Sequence, residues 1–136
     1  MIRERGKAPL SRDVLNMGYI VFKDLLVWQK SMDLVEEIYR LTKLLPKEET
    51  FALASQIQRA AVSTPSNISE GNSRNSTKEY IHFLGIARGS NSELLTQLLI
   101  CNRLNYLTEK QTQSAIELCE EIGKMLNAMI IKLSKK

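Results

Sequence analysis

Residues 58–71 read Gln-Arg-Ala-Ala-Val-Ser-Thr-Pro-Ser-Asn-Ile-Ser-Glu-Gly, a helical pattern that ends at a glycine. Its apolar positions are interleaved with Arg59, Ser63, Asn67 and Glu70, spaced by four, four and three. Side chains at those intervals share one helix face, so a guanidinium, a hydroxyl, an amide and a carboxylate line up along it. A plain core helix does not align four hydrogen-bonding groups in this way. Further along, Ser90 and Glu93 sit on another helical segment, near the face of Asn91. We therefore expect a polar network of Arg59, Ser63, Asn67, Glu70, Ser90 and Glu93 between two helices, with Arg59 as the positive partner of one glutamate. Such a network stabilises only when every member is satisfied, and it then fixes register.

Apolar periodicity defines four helices. The first is expected over about 25–44. Leu25, Trp28, Met32, Val35 and Tyr39 form one apolar stripe, and Leu34, Ile38, Leu41 and Leu45 a second. Asp24 is a candidate N-cap, and Pro46 stops the segment. The second spans about 50–70, with Phe51, Ala54, Ile57, Ala61 and Ile68 inward. Pro65 must kink or split it, and Gly71 is a natural stop. Ser76-Thr77-Lys78-Glu79 and Thr108-Glu109-Lys110-Gln111 both read as capping boxes that open the third and fourth helices. The third carries Tyr80, Leu84, Ala87, Asn91, Leu94, Leu98 and Cys101. The fourth carries Ala115, Cys119, Ile122, Leu126, Met129 and Leu133, at the same alternation of threes and fours. No strand pattern competes. The expected fold is all-α, an up-down antiparallel four-helix bundle over 21–136, with axes crossing at about 20°. Residues 1–20 have no usable periodicity and read as a flexible extension, with Met17 a candidate natural start.

Length and composition agree with one such domain. The chain has 136 residues and is 43% hydrophobic and 25% charged. A core of that size buries roughly two-thirds of the surface of the unfolded chain. No apolar run approaches the ~20 residues that span a bilayer, and the start lacks the apolar stretch of a secretory signal. A cytoplasmic location and no membrane partner are expected. The net charge is +4, concentrated in residues 1–24, in residues 59–103 and in Lys132, Lys135 and Lys136. Basic ends suit nucleic acid, or simply a solvated surface.

Candidate chemistry is sparse. Arg74, Lys78, Arg88 and Arg103 are the candidate phosphate-binding residues, the first two near a helix start where the dipole favours anions. Gly85 and Gly89 lie four apart inside a helix, which costs about 1 kcal/mol each and calls for close packing, within the chain or between copies. Glu79 and His82 match one half of a di-iron Glu-x-x-His pattern, but His82 is the sole histidine. Arg74 and Arg88 stand eight before and six after His82, unlike the arginine–histidine pairs of helical nucleases. Cys101 and Cys119 form no metal-ligand pair and read as small buried hydrophobes. No catalytic residue, metal or cofactor is expected.

Four separated stretches carry a family resemblance: Asp24-Leu25-Leu26-Val27-Trp28-Gln29-Lys30, Gln56-Ile57-Gln58-Arg59-Ala60-Ala61-Val62-Ser63, Pro65-Ser66-Asn67-Ile68-Ser69-Glu70-Gly71, and Phe83-Leu84-Gly85-Ile86-Ala87-Arg88-Gly89-Ser90 followed by Glu93-Leu94. In this order they resemble the bacterial four-helix-bundle proteins encoded inside intervening sequences of 23S ribosomal RNA genes. The resemblance covers about residues 20–130. It departs at Ser69, usually alanine, at Asn72-Ser73, where a glycine often precedes the arginine, and at Leu95, often a second glutamate. It implies a ring-like homopentamer, related to the basic accessory proteins of diversity-generating retroelements, which bind a reverse transcriptase and nucleic acid. The expected partners are thus further copies of the chain, RNA or DNA, and a reverse transcriptase. The expected function is a non-enzymatic nucleic-acid-binding or adaptor protein. A scaffold for a reverse transcriptase is the alternative, and a helical nuclease or metalloenzyme a distant third.

Overall fold

The computed structural model describes residues 21–135. The expected N-terminal extension, the Met17 start and Lys136 lie outside the described residues. Within them the chain forms four α-helices: α1 (Leu26–Thr42), α2 (Leu53–Asn72), α3 (Thr77–Arg103) and α4 (Glu109–Ser134). Each helix packs on its chain neighbours and α4 closes back on α1, while the diagonal pairs make no close backbone approach. This is the expected up-down bundle. Its core is formed by Leu34 and Ile38 of α1, Ile57 and Ile68 of α2, Leu84, Leu94 and Leu98 of α3, and Ile122 and Leu126 of α4.

The helix ends show which local rules prevailed. Asp24 does not cap α1. It lies in a 3-10 turn, Phe22–Asp24, and Leu25 is the uncapped N-terminal residue. The turn brings the Phe22 ring edge-on to Trp28, 5.3 Å between centroids, an aromatic contact that packs the entry to α1. The Leu34 stripe of α1 is fully core, while in the other Leu25, Trp28 and Val35 pack against the core partly buried. Tyr39, 43% exposed, and Met32 lie at the surface, at the outer edge of the wide apolar face. Phe51, expected inward, is 94% exposed. The backbone breaks at Ala52 (φ −120°, ψ −102°) and α2 starts at Leu53, so helical register never reaches Phe51. Glu49 serves the start of α2 instead. Its Oε1 accepts from the Leu53 N–H at 3.2 Å, and its Oε2 accepts from the Tyr106 hydroxyl at 3.0 Å, tying the two loops at that end of the bundle together.

Pro65 neither ends nor splits α2, which runs unbroken through it. Proline cannot donate to the carbonyl four residues back. Side chains around it bond to nearby carbonyls: Ser66 Oγ donates to Val62 O at 2.8 Å and Asn67 Nδ2 to Ser63 O at 2.8 Å. The second capping box is complete. Gln111 N donates to Thr108 Oγ1 at 3.0 Å and Thr108 N to Gln111 Oε1 at 2.9 Å. The first is half made: Glu79 N donates to Ser76 Oγ at 3.1 Å, but the Glu79 carboxylate turns to Arg74 instead. Helix α3 ends on Asn105 in the left-handed region (φ 61°). Tyr106 N bonds to Cys101 O and Asn105 N to Asn102 O, the paired closure of a Schellman motif.

The glycines divide by what surrounds them. Gly71 is not the stop; it lies inside α2, buried against α3. A Cβ there would stand 2.8 Å from Phe83 Cβ and 3.0 Å from Tyr80 Cδ1. Among the described residues, a Cβ added at Gly85 or Gly89 would meet nothing within 4 Å, so close packing at this pair does not occur among them. Gly71→Ala should therefore lower stability by about 1–3 kcal/mol through overpacking. Gly85→Ala and Gly89→Ala should each raise it by up to about 1 kcal/mol. Urea melts with light scattering check both, and a loss of mass in the latter pair would assign their close packing to contacts between copies.

Candidate nucleic-acid interface

The polar face of α2 does meet α3, with a smaller membership than the spacing suggests. Ser63 Oγ and Ser90 Oγ share a 2.7 Å hydrogen bond, and Asn67 Nδ2 donates to Ser63 Oγ at 3.0 Å. These three half-buried residues are the network. Arg59 lies outside it, exposed and donating to Ser55 Oγ at 3.4 Å, with no glutamate as ion-pair partner among the described residues. Glu70 turns out to Arg74, and Glu93 accepts from Gln97 Nε2 at 3.3 Å. The physical reason is solvation: the charged ends of the pattern lie at the rim of the interface, where water keeps them, and only the neutral groups enter it. Sequence reasoning missed a deeper polar link. Asn91, within the apolar stripe of α3, donates Nδ2 to the Cys119 carbonyl at 2.8 Å and joins α3 to α4. The available signal was an asparagine at a stripe position between Ala87 and Leu94.

The four candidate cations do not form one patch. Arg74 is held by Glu70 at 3.0 Å and Glu79 at 3.7 Å, and its guanidinium lies 4.8 Å from the centre of the Phe83 ring. Two carboxylates offset its charge, so it is a structural clamp over the α2–α3 turn. Lys78 is exposed in the first turn of α3, and Arg103 is exposed in its last. At ~1.5 Å per residue they stand about 37 Å apart. Arg88, between them, donates NH1 to Asn127 Oδ1 on α4 at 2.8 Å. It faces a groove lined also by Ser92, Glu120, Gly123, Lys124 and Asn127. Lys124 is a cation that sequence reasoning missed, because nothing in α4 alone points to α3.

The other candidate chemistry is quiet. Among the described residues no three His, Cys, Asp or Glu side chains cluster as metal ligands. His82 is exposed and its ring stands 5.3 Å from that of Phe83. Cys101 and Cys119 are free and buried. Burial, then Glu49, raises the Cys101 thiol above its usual range; burial, then Glu120, pushes Cys119 up to about 12.

The model of the 23S rRNA-intervening sequence protein family matches residues 23–128, from the 3-10 turn into α4. The chain belongs to that family. A solved structure supports the same fold: a protein of unknown function from the S23 ribosomal protein family of Bacteroides thetaiotaomicron, 31% identical, covering 77% of this chain and 98% of that one, with a TM-score of 0.72. No curated protein matches the chain. The family match takes in the α2–α3 interface and every residue that lines the α3–α4 groove. Among the described residues no helix is long and apolar enough to cross a membrane.

Two outcomes follow from these environments. Ser63→Ala should cost about 0.5–1.5 kcal/mol, and a double-mutant cycle with Ser90→Ala should return a coupling energy of that order by chemical denaturation. Because folding holds the Cys119 thiol neutral up to about 12 against an ordinary value of 9.0, stability should be intact below pH 9 and fall as pH rises from there toward 12, where the unfolded thiol ionises and the folded one does not. Denaturation at mildly and at strongly alkaline pH, repeated on Cys119→Ala, isolates the slope.

Proposed function

We propose that this protein is a non-enzymatic nucleic-acid-binding adaptor that works as an oligomer. The spacing of its exposed cations supports this reading best. Lys78, Arg88 and Arg103 are strung along the 27 residues of α3, a separation suited to an extended polyanion rather than to one small anion. Lys132 and Lys135 add further positive charge at the end of the chain. The family name, which refers to sequences interrupting 23S rRNA, is consistent with a nucleic-acid context. Self-association is supported by exposed apolar side chains, Leu44, Phe51 and Leu104 at one end of the bundle and Leu99 and Ile100 beside it, and by the open Gly85–Gly89 face. A single chain offers few phosphate contacts, so joining copies in one assembly raises affinity by avidity.

The test is fluorescence anisotropy with structured RNA and duplex DNA across a salt series, on protein of mass known from light scattering. Each phosphate neutralised contributes a log–log slope of about −0.9, so an assembly using one or two per copy should give a steep dependence that is reduced in Lys78→Ala/Arg103→Ala. Binding insensitive to salt would refute the electrostatic mechanism. An intact oligomer that ignores nucleic acid would favour the scaffold reading, with a protein such as a reverse transcriptase as partner.

A further inference from the structure

The groove between α3 and α4 brings one cation from each helix, Arg88 and Lys124, to a single cleft. It is an open, solvent-facing cleft of about 540 Å³, and all of its lining residues but Gly123 are exposed. Gly123 is part of its lining, and a Cβ there would stand 3.3 Å from Nδ2 of the buried Asn91. The ion pairs of the described residues are at Lys30, Arg40 and Arg74; none uses Arg88 or Lys124. The bond from Arg88 to Asn127 Oδ1 fixes one edge of the guanidinium and leaves its other N–H donors for a ligand.

The two ends of the groove differ in chemistry. Helices α3 and α4 run antiparallel, with Arg88 opposite Asn127 and Asn91 opposite Cys119 and Gly123. Arg88, Lys124 and Asn127 therefore share one end. Ser92 and Glu120, one turn along their helices in opposite chain directions, share the other. Glu120 and Lys124 are four residues apart, about 6 Å along the axis. A cationic end thus lies one helical turn from a carboxylate and a hydroxyl. A single phosphate matches only the first end. A ribonucleotide matches both, since its phosphate and its 2′-hydroxyl are separated by a similar distance. A carboxylate accepting from a ribose hydroxyl is a recurrent nucleotide contact, and the 2′-hydroxyl is the group that distinguishes RNA from DNA.

We propose that the α3–α4 groove binds one ribonucleotide unit, its phosphate between Arg88 and Lys124 and its ribose hydroxyls against Glu120 and Ser92, so that the protein prefers RNA to DNA. This rests on the nucleic-acid reading above and adds the site and the sugar it selects. DNA entering the same groove leaves the Glu120 carboxylate facing a polyanion without a hydroxyl to receive, a penalty that builds discrimination by repulsion as well as attraction.

The experiment is anisotropy of the full chain with labelled oligouridine and oligodeoxyuridine at one salt concentration, on variants matched to the parent in mass and thermal melt. RNA should bind about tenfold more tightly than DNA, equivalent to roughly 1.4 kcal/mol. Arg88→Ala/Lys124→Ala should weaken both by at least that factor, with Lys124→Gln alone giving a smaller loss in the same direction. Glu120→Ala and Ser92→Ala should weaken RNA only, bringing it toward DNA. Equal affinity for the two polymers, or RNA binding untouched by Arg88→Ala/Lys124→Ala, overturns the groove while leaving the general nucleic-acid reading standing. If neither polymer binds, that reading fails, and amide NMR shifts of Ser92 and Gly123 are followed with uridine monophosphate, deoxyuridine monophosphate and inorganic phosphate. Shifts with the ribonucleotide alone keep the groove as a site for a free nucleotide; shifts with none, or equally with all three, overturn it.

Discussion

The close approach of α2 to α3 is the constraint on which the rest of this bundle depends. These helices are joined by a short turn, and α2 offers α3 a succession of small groups: Ala60, Ala61, Ser63, Thr64, Asn67 and Gly71. Gly71 has no side chain where Phe83 and Tyr80 press against it, and two helical turns away Ser63 meets Ser90 at hydrogen-bond distance. The first contact sets the separation and the second sets the register. A slip of α3 by one residue would turn Ser90 away from Ser63 and leave a half-buried hydroxyl unmatched. With α3 fixed in this way, its opposite face must receive α4, and the positions of Asn91, Arg88 and Ser92 follow.

Pro65 belongs to the same interface. A buried proline in mid-helix ordinarily costs ~3 kcal/mol or more, yet α2 is continuous through it. The residues that keep carbonyls bonded near the proline, Ser66 and Asn67, belong to the run whose polar spacing points to an interhelical network. Asn67 does both, donating to Ser63 O within its own helix and to Ser63 Oγ, the atom that meets Ser90. A polar pattern on a helix can therefore serve the neighbouring helix or its own backbone. Only neutral, short side chains serve both at once.

Much of the fold was legible in the sequence because the signals were local or periodic. The core positions Leu34, Ile38, Leu84, Leu94, Leu98, Ile122 and Leu126 follow from threes and fours alone. The Thr108–Gln111 box forms as its spacing implies. What failed depended on knowing where helical register begins, or what stands opposite. Extending the period past Ala52 puts Phe51 inward, but the backbone leaves the helix at that residue. Gly71 carries the composition of a stop signal, but its use is steric and involves residues of the next helix. Arg59, Glu70 and Glu93 share a face with the network residues, yet a shared face does not imply shared burial; hydration holds charged ends at the rim. Of the candidate site, Arg88 was visible and its companion Lys124 was not, since their proximity is set by α3–α4 packing and by no pattern within either helix.

The same packing explains why charge on this surface acts in different ways at different places. Arg74 stands between Glu70 and Glu79 and over the Phe83 ring, so its charge is satisfied within the chain, closing the turn that holds α2 against α3. Arg88 has a neutral partner in Asn127, which positions the guanidinium without cancelling it. A carboxylate partner lowers the field a ligand would feel, whereas an amide oxygen orients the donor and leaves the positive charge intact. Gly123 lines the same cleft. The α2–α3 side of the bundle thus commits its polar groups to fixing the fold, and the α3–α4 side, whose register that fold dictates, leaves two cations, a carboxylate and a hydroxyl around one cleft with no ion pair among the described residues.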